Sequence, residues 1–219
     1  MSLKQLINKS IPYLEEEDSC KKAVEIMNGC KVSHLAVASS KEKMYLGLVD
    51  EECLKKNPEA KISDLKNLPM FCIGQGGHLF EVLDIVSSRK ISLLPVVDTN
   101  GKYIGAVTYR DIVEAVAEEV SASDKGGVIE IETEVQNFSP ALITGISENN
   151  SVKVMSLLSR TKGTEKIKAT VKLNGQDLSG VIQGLERRGY RVKNAFENAA
   201  KYSDLLEERY GALISYMNV

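Results

Sequence analysis

"GAVTYRDIVEA", residues 105–115, joins an apolar run to a helical pattern through Thr108, with Asp111 three positions further on. A strand that ends at Val107 would deliver Thr108 to the rim of a sheet. The helix that starts there has unpaired first N–H groups and the positive end of its dipole, which together suit an anion. Thr108 could then donate to an oxygen of such an anion. Asp111, one turn in, could accept from hydroxyl donors. Charge-assisted bonds of this kind contribute about 1.5–3 kcal/mol each. Gly105 would let a backbone approach closely, and Arg110 could balance phosphate charge. The same spacing also suits a role that needs no ligand, with Thr108 as an N-cap and Asp111 as a first-turn acid.

The stretch has a weaker echo upstream, "GLVDEECLKKN" at 47–57, and the likeness extends backwards. Leu3 and Leu6 match Ile62 and Leu65, and "VSHLAV" at 32–37 matches "ISLLPV" at 91–96, each shifted by 59 positions. The shift is 58 at Gly47 and Gly105, so the hairpin between loses one residue. Each copy reads as a short strand near Tyr13 or Phe71–Ile73, a helix, two strands joined by a tight turn, and a closing helix. In the second copy the turn is "DTNGKY", and Asn100–Gly101 predicts a type I′ hairpin. Copies of this size are too small to be stable alone and should pack as a pair.

Leu94-Pro95-Val96-Val97-Asp98, Gly101 and the run Gly105–Asp111 resemble the tandem CBS (cystathionine-β-synthase) domain pair. The resemblance covers residues 1 to about 120. It implies a cleft between the copies that binds an adenine nucleotide such as AMP or ATP, or a related adenosyl ligand. Thr108 and Asp111 would hold ribose and phosphate. Ile73, Gly74, Ser92 and Leu94 would wrap the base. In the first copy Asp50 stands for the threonine and Cys53 for the aspartate, with Glu51 and Glu52 between. Cysteine is a poor acceptor for a diol, and three carboxylates oppose a phosphate, so this first site reads as degenerate. "GQGG" at 74–77 lacks the Lys-Ser/Thr of a phosphate loop and reads as a loop before a helix. His78 reads as a surface residue at that helix start. His34, which matches Leu93, reads as a packed strand residue.

"SASDKGG", 121–127, is a linker by composition. "VIEIETEV" then alternates as a half-buried strand, and Ser139-Pro140 opens a helix. Strands near 152–159 and 166–173 follow, separated by "RTKGTE". A helix with a glycine stop and a last strand, "YRVKNAF", complete a βαββαβ ferredoxin-like order. This segment, about 128–197, resembles an ACT domain, a regulatory module that often binds amino acids at a dimer interface. Its first loop, Gln136 to Ala141, has no glycine where that family carries Asp-x-x-Gly, so a dimerisation role stands beside amino-acid sensing. The tail 198–219 places Leu206, Tyr210, Leu213, Ile214 and Met217 on one helical face.

The expected organisation is therefore α/β (α+β): CBS copies at 1–59 and 60–120, the linker 121–127, an ACT-like domain at 128–197 and an amphipathic helix at 198–219. The 219 residues are 43% hydrophobic and 26% charged, an ordinary globular composition, and a net charge of −2 advertises neither nucleic acid nor an anionic membrane. The apolar runs are too short to span a bilayer, and the N-terminus lacks a signal-peptide core, so a cytoplasmic location is expected. Cys20, Cys30, Cys53 and Cys72 have neither zinc spacing nor a disulfide context; reduced, mostly buried thiols are expected. No nucleophile–base set or metal spacing points to an enzyme. Three readings remain: a homodimeric sensor of an adenosyl ligand, a ligand-free interaction scaffold, and an amino-acid sensor through the ACT-like domain.

Overall fold

Ser19 begins the first helix because its hydroxyl accepts the Lys22 N–H at 3.2 Å. Helix α1, Cys20–Cys30, buries Cys20, Ala23 and Met27 and stops where Lys31 turns left-handed at φ 56°. Fifty-nine positions later the same piece recurs. Helix α3, Leu79–Arg89, buries Leu79, Val82 and Val86 and stops at Lys90, φ 54°. His78 caps it through Nδ1, as the surface residue at the helix start that its sequence position implies. The computed structural model describes residues 2–163 and 165–196, and these form two units that divide between Val116 and Ala117.

In the first unit, α1 leads to the hairpin β1 (His34–Ala38) and β2 (Tyr45–Asp50), closed by α2 (Glu51–Lys56). The second copy has β3 (Ile73–Gly74), α3, the hairpin β4 (Leu93–Val97) and β5 (Tyr103–Thr108), and α4 (Tyr109–Glu119). The hairpin registers repeat as well. His34 pairs with Asp50 and Leu93 with Thr108, and both ladders slip at the same place, between Val37 and Ala38 and between Val96 and Val97. Gly47 and Gly105 lie beside those slips, at φ +148° and +144°, which only glycine adopts without strain.

The leading segments are exchanged between the copies. Asn8 donates to Ala106 O at 2.8 Å and accepts from Ala106 N–H at 3.2 Å, so the leading residues of the first copy extend the second. Conversely Leu48 donates to Pro69 O at 2.9 Å, and Ile62 donates to Asp18 O. The hairpin tips cross-bond too, Tyr45 N–H to Gly101 O and Tyr103 N–H to Lys43 O. One continuous core runs through both copies, with Leu3, Leu14, Leu35, Leu48, Leu54, Leu93 and Leu94 fully buried. Neither copy could close its core alone.

Two local expectations change. The first strand of copy one is a single bridge, Leu14 to Val37, because Asp18 accepts the Glu15 N–H at 2.9 Å and closes a turn immediately after it. The "DTNGKY" turn is not type I′. Only Gly101 has positive φ, +79°, and the Asp98 carboxylate accepts from both Asn100 and Lys102 N–H. That side chain stabilises a type I turn followed by a left-handed glycine, a longer loop with a bulge. Of the four free thiols only Cys20 is buried; Cys30, Cys53 and Cys72 are half-buried.

The second unit has the order β6 (Gly127–Glu134), α5 (Pro140–Asn149), β7 (Val154–Lys162), β8 (Lys166–Leu173), α6 (Ser179–Arg187) and β9 (Arg191–Phe196). Its antiparallel sheet runs β7-β8-β6-β9, which is the ferredoxin-like arrangement. Ile129, Ile131, Val171 and Leu173 pack with Ile143, Val181 and Leu185 of the helices. Ser139 caps α5 with Pro140 in its first turn, and Gly189 at φ +81° follows α6. Strand β7 runs three residues further than its apolar pattern, through Arg160 to Lys162, because the ladder to β8 continues to Lys166. The expected helix at 198–219 lies outside the described residues. Among them, no helix is long and apolar enough to cross a membrane.

Candidate functional site

Thr108 ends β5 against Leu93 and is 8% exposed. Its hydroxyl donates to Asp111 Oδ2 at 2.7 Å, its N–H donates to the same oxygen at 2.8 Å, and the Asp111 N–H returns to Thr108 Oγ1 at 3.2 Å. This reciprocal capping arrangement starts α4. It differs from the sequence expectation in one respect. The Thr108 proton is committed to Asp111, so Thr108 orients the carboxylate rather than presenting a donor. Asp111 Oδ1 receives no hydrogen bond among the described residues, and that oxygen is what the rim offers to a hydroxyl donor. The Tyr109 N–H is also used, by Ser92 O at 3.1 Å, so the helix start has fewer open donors for a phosphate than the bare motif suggests.

The other motif residues separate into groups. Ser92 is at the Thr108 end of β4. Its hydroxyl accepts from Ser33 N–H at 2.9 Å, and its own N–H donates to His34 Nδ1 at 3.2 Å. Ile73 and Gly74 pair with Val96 and Val97, at the opposite end of the strand, about 10–13 Å away by strand rise. They are not brought to Thr108 along this sheet. Leu94 is fully buried, so its side chain is core rather than a wall of the cleft. Arg110 is exposed and bonds Glu114 at 2.8 Å, so it lies on the solvent side of α4. At Gly105 the close approach comes from the chain itself. An added Cβ would lie 2.7 Å from Ile7 Cγ2 and 2.9 Å from Asn8 O.

The equivalent rim of copy one is self-satisfied too. Asp50 Oδ1 accepts from Cys53 N–H at 2.7 Å and caps α2, and Glu51 N–H bonds Ser33 O. His34, half-buried, joins the two rims, since it pairs with Asp50 in β2 and receives Ser92 across the pair. Sequence reading placed His34 in a packed strand and missed this bridging role; the signal was a polar residue where the second copy has Leu93.

Burial holds the His34 imidazole below its ordinary pKa, with the Asp50 charge opposing. The neutral ring keeps Nδ1 as an acceptor for Ser92. Because the folded state binds this proton less readily than the unfolded chain, its stabilisation is complete above the ordinary histidine value of about 6.5 and is lost as pH falls through it towards the lowered folded value. His34→Asn, which retains an acceptor, should flatten the fall in the denaturation midpoint over that window; an unchanged slope rejects this role.

In the second unit the loop before α5 is closed by Tyr190, whose hydroxyl accepts from Ser139 N–H and donates to Asn137 O, both at 2.9 Å. The Ser139 N–H is thereby withheld from any carboxylate that would bind there.

A family model described as the CBS domain matches the chain twice, over residues 3–57 and 62–118. Inosine-5'-monophosphate dehydrogenase from Methanocaldococcus jannaschii is 23% identical over 125 residues, 56% of this chain and 25% of that enzyme. Homoserine O-acetyltransferase from Methanocorpusculum labreanum is 26% identical over 111 residues, 49% of this chain and 23% of that enzyme. The matched stretches thus span about a quarter of the length of these curated relatives. Among solved structures, a CBS domain pair/ACT domain protein from Thermotoga maritima aligns with a TM-score of 0.49 at 24% identity, over 54% of this chain and 98% of that one. CBSX2 in complex with AMP aligns with a TM-score of 0.46 at 20% identity, over 53% and 96%. The two family matches fall on the two copies whose helices, registers and leading segments recur, and the chain belongs to the CBS domain family as a tandem pair.

Proposed function

We propose that the pair senses an adenine nucleotide or a related adenosyl ligand at the rim of the second copy, and that the protein is a non-catalytic regulator. The observation that carries this reading is Asp111. Its carboxylate is fixed by Thr108 and keeps one oxygen open beside a strand–helix junction, which suits a ribose diol. Thr108 is then a positioning residue. Copy one, with Cys53 in the aspartate's place and Glu51 and Glu52 beside it, takes no phosphorylated ligand. A thermal-shift screen of the full chain against AMP, ATP, NAD and S-adenosylmethionine tests the proposal. A ligand at 100 times its dissociation constant adds about 2.7 kcal/mol, so at least one compound should raise the melting temperature, and a flat response to all four rejects the sensor.

The second unit serves in this reading as an ACT-type dimerisation module. Its sheet has two edges, β7 and β9, and exposed edges are usually paired or covered. Leu158 and Phe196 on those strands are 55% and 56% exposed. A C2 dimer would cover such surfaces symmetrically and let ligand at one pair bias the setting of the other. Light scattering should give a mass about twice the 24.1 kDa of the chain; a value near the single-chain mass rejects the dimer. The dimerisation role is preferred to amino-acid sensing because Tyr190 already takes the Ser139 N–H of that loop.

A further inference from the structure

The sheet of the second unit packs its helices on one face. The other face carries a concavity of about 700 Å³, within the usual range for small-molecule sites. Its lining is charged. The two carboxylates are matched from within: Asn194 donates to Glu130 at 2.6 Å, and Glu132, whose side chain is 10% exposed, has Lys193 at 3.5 Å and Lys166 at 3.9 Å. Two cations are left over. Arg160 and Lys168 have no ion-pair partner among the described residues. They are direct register partners on β7 and β8, an arrangement of like charges that destabilises a sheet and that Glu132, the register partner of Lys168 on β6, offsets on the other side. Thr170, two residues along β8, adds a hydroxyl to the same lining.

We propose that Arg160 and Lys168 bind a small organic dianion in this concavity, a metabolite bearing a phosphate or two carboxylates. A dianion would neutralise the opposed cations, and the arginine fork suits a two-oxygen contact. The acidic pair Glu130 and Glu132 on the central strand disfavours an extended polyanion, so a small molecule fits better than nucleic acid. The site is on a different unit from Asp111 and stands or falls independently of the nucleotide reading.

The test is amide NMR of the full chain, titrated with pyrophosphate and, separately, with malate at constant ionic strength, on wild type, Arg160→Gln and Lys168→Gln. A saturable shift at residues 158–170 is expected with at least one probe. Pyrophosphate alone would point to phosphate esters, malate alone to dicarboxylates. Each variant should weaken the apparent Kd about tenfold, the loss of one charge-assisted contact. Without probe, Arg160→Gln should melt no lower than wild type, because Arg160 lies on an edge strand and its one register partner is Lys168; this control separates lost binding from lost folding. The proposal is overturned if the variants respond like wild type, if the shifts fall on residues 2–116, or if neither probe saturates.

Discussion

Asp111→Ala is expected to weaken adenine-nucleotide binding by about 1.5–3 kcal/mol, or roughly 10- to 150-fold, the value of charge-assisted bonds to a ribose. Two effects add in this variant. The diol loses its acceptor, and α4 loses the carboxylate that receives Thr108 N–H and Oγ1–H. The second effect is a capping loss of about 1 kcal/mol in stability, and Asp111→Asn separates it from the first. Asparagine keeps an oxygen for Thr108 and removes the charge, so it should fold nearly as well as wild type yet still bind weakly. Calorimetry giving wild-type affinity in both variants would remove Asp111 from the site.

Gly105→Ala should cost the CBS pair about 2–4 kcal/mol, from strain at a left-handed position and from overpacking. The φ of +144° disfavours any side chain, and the new Cβ would press on Ile7 and on Asn8 O. Asn8 makes both of its backbone bonds to Ala106, so the damage falls on the segment that the first copy lends to the second. Gly47→Ala should behave alike, since its Cβ would meet Leu68 Cβ at 2.5 Å. Urea denaturation measures the effect. An unchanged midpoint together with lost nucleotide affinity would mean that Gly105 serves the ligand and not the fold.

That glycine marks a boundary between what sequence pattern carries and what it does not. The repeat was legible because hydrophobic spacing is local: Ala23 and Met27 find their partners in Val82 and Val86 by counting. The one-residue change of shift before Gly47 and Gly105 reported the shorter second hairpin loop, whereas the bulges, the same in both copies, left no change of shift. The exchange of leading segments was not legible, because Asn8–Ala106 is a backbone pairing between distant stretches and leaves no side-chain signature. For the same reason the parallel register of β3 on β4 was hidden, and with it the placement of Ile73 and Gly74 at the far end from Thr108. The motif at Thr108 and Asp111 was legible as chemistry but not as a hydrogen-bond state. Only geometry tells that the hydroxyl proton faces inward to the carboxylate. In the second unit the βαββαβ order followed from alternation and caps, whereas Arg160 opposite Lys168 required the register of a strand longer than its apolar pattern.

Calorimetric titration of an adenine nucleotide into the full-length wild-type chain tests the central claim most directly. The account predicts saturable binding with one site per chain, at the second copy. Binding of two nucleotides per chain would contradict the degenerate reading of Asp50 and Cys53, and the absence of saturable binding by any adenosyl compound would contradict the sensor itself.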